Sequence, residues 1–325
     1  MKQLTYAQAV DGYLLDARAQ RLSADTIRNY TLTYRRFGEW LGEELLLSDI
    51  TPAQISAFLA SLAQPQTPAG GVAVRPPKGL SKKTTLNYHG ALGALWSWAV
   101  REGYAAVNVV QSVSRPRPEK RTVTPFSESD VKAILAACDR TRSYTRPGKR
   151  ICDNERRTAL RDRAVILLLV DTGMRSGELA GLRARDLDMK NRRLTVFGKG
   201  SKERVLPFSP TTGKAIWHYL QTERGEHGPR DPLFVTVDGE PLNREALLQL
   251  VNRLGERAGV TDCHPHRFRH TFAVTFLRNG GNVYELQAML GHTTLEMVKQ
   301  YLSLAQTDVE AAHRRASPVE NWRLR

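Results

Sequence analysis

The sequence predicts a mainly α protein of two domains, the second mostly helical with one small antiparallel β element. Three observations predict it. Apolar residues recur at three- and four-residue steps over most of the chain, as helices with one buried face require. A convincing β pattern is confined to 193–208. A proline-containing, basic stretch without periodicity splits the chain. The 325 residues suit about two domains of ~150 residues each, long enough to bury real cores.

The first domain, 1–110, reads as a four-helix unit. Thr5-x-x-Gln8 is a capping box and Ser23-x-x-Thr26 a second helix start, since each cap oxygen can accept an otherwise unbonded backbone N–H. Ile27, Tyr30, Tyr34, Phe37 and Leu41 then repeat on one face. Thr51-Pro52 offers a cap followed by a proline at the first helical position, where its missing N–H costs nothing. Ile55, Phe58, Leu59 and Leu62 supply the buried side of that helix. A fourth helix opens near Ser81 and carries Leu86, Leu92, Leu95, Trp96 and Ala99. Residues 64–79, rich in Pro and Gly, form the loop before it.

Residues 111–124 (QSVSRPRPEKRTVT) are expected to link this unit to a second domain, 125–325. Ser127-x-x-Asp130 caps the first helix there. The basic stretch 139–157 reads as a solvated loop whose Arg and Lys side chains can also meet phosphate. A buried helix follows around 166–170. Leu194 and Val196, then Val205 and Phe208, flank Gly198-Lys199-Gly200-Ser201, whose glycines suit a hairpin turn. The remainder is helical, with breaks at 225–231, 259–265, Gly280-Gly281 and Gly291.

Composition narrows the function classes. Hydrophobic residues at 41% and charged residues at 25% are those of an ordinary soluble domain. The longest purely apolar run, 164–170, is far short of the ~20 residues of a membrane span. No apolar segment follows Met1, so no export leader is expected. Three scattered cysteines, Cys138, Cys152 and Cys263, argue against a disulfide framework and for the cytoplasm. Lys+Arg 48 against Asp+Glu 33 gives a formal net charge of +15, which points to a polyanion, nucleic acid first.

Four segments gather polar groups in apolar surroundings. In the first, Asp171-Thr-Gly-Met-Arg175-Ser-Gly-Glu178, Arg175 sits beside a helix N-terminus that already favours an anion. The plainer reading pairs Arg175 with Glu178 to tie two helices together. The second is Lys199 in the hairpin turn, where a lysine is ordinarily just solvated; no P-loop pattern surrounds it. The third, 263–270, holds two overlapping H-x-x-R pairs, His264/Arg267 and His266/Arg269, with Pro265 at the first helical position. Cys263, His264 and His266 straddle that helix start and lack a completing pair, so zinc is not expected. In the fourth, Thr293-x-x-Glu296 reads as a capping box that sets His292 before a short helix ended by Tyr301.

Together these groups match what metal-free phosphodiester transfer needs. Two guanidinium forks can each grip non-bridging oxygens, and being always charged they substitute for Mg²⁺. A tyrosine hydroxyl can attack phosphorus if a base takes its proton, and a lysine or histidine can protonate the departing oxygen. The segments carry no carboxylate cluster of the two-metal nuclease type.

The stretches TGMRSGELAGLRARDLD, FGKGSKERVLP, HPHRFRHTFAVTFLRNGG and LQAMLGHTTLEMVKQYL, in this order and spacing, resemble the catalytic domain of the tyrosine recombinase (phage integrase and Xer-like) family. The N-terminal helical unit is similar to that family's SAM-like core-binding domain. The resemblance implies a site-specific DNA recombinase, an integrase, needing neither metal, ATP nor other cofactor. It implies Arg175 and Arg269 as clamp arginines, Glu178 as a supporting acid, and Lys199 as general acid toward the 5′ oxygen. His266 would act as base or proton shuttle, and His292 would bond a non-bridging oxygen. Tyr301 would be the nucleophile, forming a 3′-phosphotyrosyl link. The His-Thr-Phe-Ala that follows Arg269 selects His266 and Arg269 over His264 and Arg267.

The implied partners are double-stranded DNA recombination sites and further copies of the chain. A homo-tetramer would form on DNA as a two-domain clamp, with the tail 308–325 packing onto a neighbour through Val309 and Trp322. A second recombinase or an accessory factor is a further candidate partner; a membrane is not. The implied location is the cytoplasm, at the nucleoid. Two departures from the family pattern stand out: Asn108-Val109 replaces an expected Asn-Pro, and 139–157 is longer than usual. The alternatives are a type IB topoisomerase-like relaxing enzyme, which shares this constellation, and a non-catalytic architectural DNA-binding protein.

Overall fold

The computed structural model describes residues 3–42, 44–64, 79–118, 123–139, 156–198, 203–305, 313 and 317–322. Most of the expected loop 64–79, most of the basic stretch 139–157, Lys199 and Val309 lie outside them. The chain divides into two units, Met1–Arg121 and Thr122–Arg325.

In the first unit the helices start where the caps put them. Thr5 caps α1 (Tyr6–Ala19) with its capping box to Gln8, and Ser23 caps α2 (Ala24–Leu41). Thr51 caps α3 (Pro52–Ser61), and Ser81 caps α4 (Lys82–Arg101). Tyr34, Phe37, Phe58, Leu92, Leu95 and Trp96 fill the space between them. Each fully buried large apolar side chain of this kind contributes roughly 1.5–3 kcal/mol. The buried phenols remain hydrogen-bonded: Tyr6 donates to the Tyr34 carbonyl (2.9 Å) and Tyr34 to the Ala91 carbonyl (2.9 Å).

Part of the expected linker belongs to this core. Asn108 caps a short 3₁₀ turn, Val109–Ser112, while its amide donates to the Gly93 carbonyl (3.1 Å) and the Ser97 hydroxyl (2.9 Å) on α4. The chain therefore folds back, and Val110 and Val113 are buried. Asparagine at the departure from Asn-Pro thus keeps a bonding role.

The second unit opens with α5 (Glu128–Asp139), where Ser127 and Asp130 exchange backbone-to-side-chain bonds, and continues with α6 (Ala159–Thr172). The Glu223 carboxylate accepts the Leu160 and Arg161 N–H groups at the start of α6 (2.8 and 2.9 Å). Asp162, wholly buried, pairs with Arg161 and Arg156. After α7 (Ser176–Ala180) comes an antiparallel sheet, β1 (Leu187–Asp188), β2 (Arg193–Phe197) and β3 (Glu203–Pro207), in that order. The expected hairpin is present, with a two-residue strand added at its edge. Its register pairs Leu194 with Leu206, so Leu206 faces inward, whereas Val205, opposite Thr195, is 52% exposed.

The helices α8 (Pro210–Tyr219), α9 (Arg244–Ala258), α10 (Pro265–Arg278), α11 (Val283–Leu290) and α12 (Glu296–Ala305) follow in this unit. One core gathers Ile166, Leu169, Leu194, Leu206, Leu250 and Phe268. A second gathers Phe272, Leu277, Leu286, Leu290, Val298 and Tyr301. Helix α10 supplies both and is the wall from which polar groups project.

Helix α12 differs from its expected span. It does not start after Thr293 or end at Tyr301: the Val298 and Lys299 N–H groups close the first turn on the Leu295 carbonyl, so the helix starts at Glu296 and runs to Ala305. Of the expected tail anchors, Trp322 is described and is 72% exposed. Cys138 and Cys263 are free and buried. No described helix is long and apolar enough to cross a membrane.

Candidate active site

Helix α6 ends on Gly173 in the left-handed conformation (φ 60°), and the chain turns to set Arg175 at the cap of α7. The Arg175 N–H donates to Glu178 Oε2 (2.8 Å) and its Nη1 to Oε1 (2.9 Å), so the helix-tying pair is formed. Glu178 also receives two bonds from Arg204 of β3, at 2.9 and 2.8 Å. Burial alone would raise the Glu178 carboxyl. The bonds from Arg204 and Arg175, with their charges, outweigh burial and hold it below the usual carboxylate range.

Helix α10 brings the second arginine. His264 caps it by accepting the Arg267 N–H through Nδ1 (3.3 Å). One turn separates His266 from Arg269. Arg269 is 2% exposed, donating to the Gly173 carbonyl (3.0 Å) and the Leu290 carbonyl (2.7 Å). Burial, then the Arg175 charge, lowers its guanidinium to about 10, still cationic at neutral pH. Arg267 of the other H-x-x-R pair turns elsewhere, donating to the Thr124 and Thr261 carbonyls and lying 4.1 Å from the Phe126 ring centroid.

Gly291 ends α11 in the left-handed conformation (φ 63°) and delivers His292, whose N–H donates to the Gln287 carbonyl (3.1 Å). His292 Nε2 lies 2.7 Å from Arg269 Nη2. Burial, then Arg269, Arg175 and Arg204, bring its ring down to about 4. Tyr301 is buried, with its ring stacked on His292 (6.3 Å between centroids, 10°) and edge-on to His270 (5.2 Å, 66°). His270 in turn meets His266 edge-on at 4.7 Å. The structure therefore gathers Arg175, Glu178, His266, Arg269, His292 and Tyr301; Lys199 lies outside the described residues.

An open cavity of about 660 Å³ is lined by Arg175, Glu178, Phe197, Arg244, His266 and Arg269. Among the described residues of the site, Arg175, Arg204 and Arg269 outnumber the one carboxylate, Glu178, which Arg175 and Arg204 bond, so the place suits an anion, and guanidinium forks suit the oxygens of a phosphodiester. His266 is lowered by burial, then by Arg269, His264 and Arg175, and is therefore neutral and able to accept a proton. Among the described residues no three of His, Cys, Asp or Glu gather as a metal site.

Two residues of this site were not singled out in the sequence. Arg204 sits in a Lys/Arg-rich hairpin that reads as solvated, and His270 reads as part of the motif that fixes the register of Arg269. The signal for each was periodicity: on the strand Arg204 lies two residues before inward-facing Leu206, and on the helix His270 lies one turn from His266.

Known proteins decide the family. The phage integrase family model matches residues 126–308, more than half of the chain, and the phage integrase N-terminal SAM-like domain matches 10–103. This chain belongs to the phage integrase family. It is a tyrosine-type site-specific recombinase. The tyrosine recombinase XerC 2 of Ralstonia nicotianae is 31% identical over 91% of this chain and 82% of its own. The tyrosine recombinase XerD of Corynebacterium glutamicum is 28% identical over 91% and 93%. The crystal structure of the XerH site-specific recombinase, bound to its palindromic difH substrate after cleavage, shares the recombinase's fold, with a TM-score of 0.68 at 22% identity over 97% and 85%. These likenesses favour recombination over the relaxing-enzyme and architectural readings.

Proposed function

We propose that the recombinase cuts and rejoins duplex DNA through a 3′-phosphotyrosyl link on Tyr301. The observation that carries this reading is the convergence of Arg269, His292 and Tyr301: a buried guanidinium bonded to an imidazole on which the phenol ring stacks. Arg175 and Arg269 grip the non-bridging oxygens, and Glu178 orients Arg175. His292 bonds a non-bridging oxygen as charge builds on it. The Tyr301 oxygen attacks phosphorus, and its proton passes to His266. The P–O5′ bond breaks, and Lys199 protonates the departing oxygen, leaving a free 5′-hydroxyl. Attack of a 5′-hydroxyl from a second strand reverses these steps, returns the phenol and joins the new strand. One phosphoester is exchanged for another, so no ATP is consumed.

In this proposal four copies act on two DNA sites, with the tail beyond Tyr301 contacting a neighbour, and the place of action is the cytoplasmic nucleoid. The net charge of +15 supports a DNA partner. Incubating the protein in EDTA with a pool of randomised duplexes, each nicked near its centre, tests the chemistry. A nick lets the short strand diffuse away and traps the covalent complex. The expected result is a protein–DNA adduct stable to denaturant and absent for Tyr301→Phe. An adduct that persists in Tyr301→Phe, or one that forms only with divalent metal, contradicts the proposal.

A further inference from the structure

We propose that Arg204 is a positioning residue for strand cleavage, holding the Glu178 carboxylate so that Arg175 stays free to meet phosphate. The proposal rests on the reading of Arg175 as a clamp. Arg204 is placed for this role on three sides. Its Nη1 and Nη2 form a two-pronged pair with Glu178 Oε1 and Oε2 (2.9 and 2.8 Å), and its Nε donates to the Met289 carbonyl (2.8 Å). Its side chain is 14% exposed, so these bonds are made largely away from water. A Cβ built on Gly291 would lie 3.1 Å from Arg204 Nη1, so the turn that delivers His292 is packed directly against the guanidinium.

The carboxylate explains why a second arginine is needed. Glu178 is 5% exposed on its side chain and requires strong donors on both oxygens. Arg204 supplies two, and Arg175 supplies one side-chain nitrogen and its backbone N–H. Among the described residues the other terminal nitrogen of Arg175 reaches only the Gly291 carbonyl, at 3.4 Å, and the Arg175 side chain is 40% exposed beside the cavity. Without Arg204, the buried carboxylate would draw the Arg175 fork onto itself and away from the phosphate. Arg204 thus joins β3, α7 and the end of α11, three segments far apart in sequence.

The test compares two duplexes carrying one site, selected from the randomised pool by covalent trapping on the wild-type protein. One has the ordinary scissile phosphodiester. The other has a methylphosphonate there, which lacks the negative charge that Arg175 would meet. Arg204→Met is expected to slow single-turnover cleavage of the phosphodiester at least about tenfold, as loss of oriented charge stabilisation does, with a clearly smaller loss on the methylphosphonate. Adding Glu178→Gln, which removes the uncompensated charge yet keeps an acceptor for the Arg175 N–H, is expected to recover part of the loss. Equal slowing on both duplexes, no slowing, or a double variant slower than the single one overturns the proposal. If Arg204→Met does not fold, the ratio between duplexes is read in Arg204→Lys, which keeps the charge and loses the fork. Absence of any wild-type adduct would instead count against Tyr301 chemistry, a separate failure.

Discussion

His292 Nε2 lies 2.7 Å from Nη2 of Arg269. A guanidinium nitrogen only donates, so the imidazole must accept there, and a neutral ring then carries its proton on Nδ1. That nitrogen is buried and has no hydrogen-bond partner among the described residues. Free of DNA, His292 is thus a neutral acceptor; an arriving phosphate adds a negative charge that favours its protonated, donating form.

The first prediction concerns this ring. Nitrogen-15 NMR of the DNA-free protein should find His292 as the neutral Nδ1–H tautomer at pH 7, titrating near pH 4 as the buried, arginine-flanked site dictates. Bound DNA should raise that value. A cationic His292 at pH 7 without DNA contradicts the arrangement.

Stability should follow the same groups. Burial, then nearby positive charge, lowers His270 and His292 from 6.5 to about 4. The unfolded chain therefore binds these protons at higher pH than the folded one. Their neutral forms favour folding fully above about pH 6.5, and that advantage is lost as pH falls toward 4. The unfolding midpoint should drop across this window, and His270→Phe should flatten the drop. A midpoint that rises on acidification contradicts it.

Arg269→Lys should be nearly inactive although it keeps the charge. A lysine cannot span the Gly173 and Leu290 carbonyls and His292 together, as the fork does. Single-turnover cleavage should fall by about 10²–10³, the cost of removing one preorganised donor at developing charge. A loss below about threefold, too small for such a donor, would show that the buried guanidinium does not stabilise the reaction.

Gly173→Ala tests the turn beneath the site. Gly173 has φ 60°, and an added Cβ would lie 2.4 Å from Phe272 Cδ1. Strain at such a position costs about 1–3 kcal/mol, so thermal unfolding should shift down. Because the Gly173 carbonyl holds Arg269, cleavage by the folded fraction should fall as well. A variant unchanged in both measurements would show that the turn tolerates a side chain.

Local chemistry made much of this legible in advance. The Thr5/Gln8 capping box, the Pro52 and Pro265 starts and the one-turn spacing of His266 and Arg269 depend on neighbours within a few residues, and they form as expected. Arg204 and His270 were not legible because each becomes part of the site only when distant segments meet. A guanidinium in a basic hairpin looks solvated until β3 packs beside Glu178 and Met289. The start of α12 failed for a related reason: Thr293 offered a cap, but the helix closes on Leu295 after the left-handed turn at Gly291. The two-residue strand β1 is set by pairing with β2 rather than by its own pattern.

The most direct measurement is the chemical identity of the DNA–protein bond. Nuclease and trypsin digestion of the trapped complex, followed by mass spectrometry, should find a nucleotide 3′-phosphate on Tyr301 within the peptide that follows Lys299. A nucleotide on another side chain, such as Tyr284 or a serine, would contradict the central claim that Tyr301 attacks the phosphate held by Arg175 and Arg269.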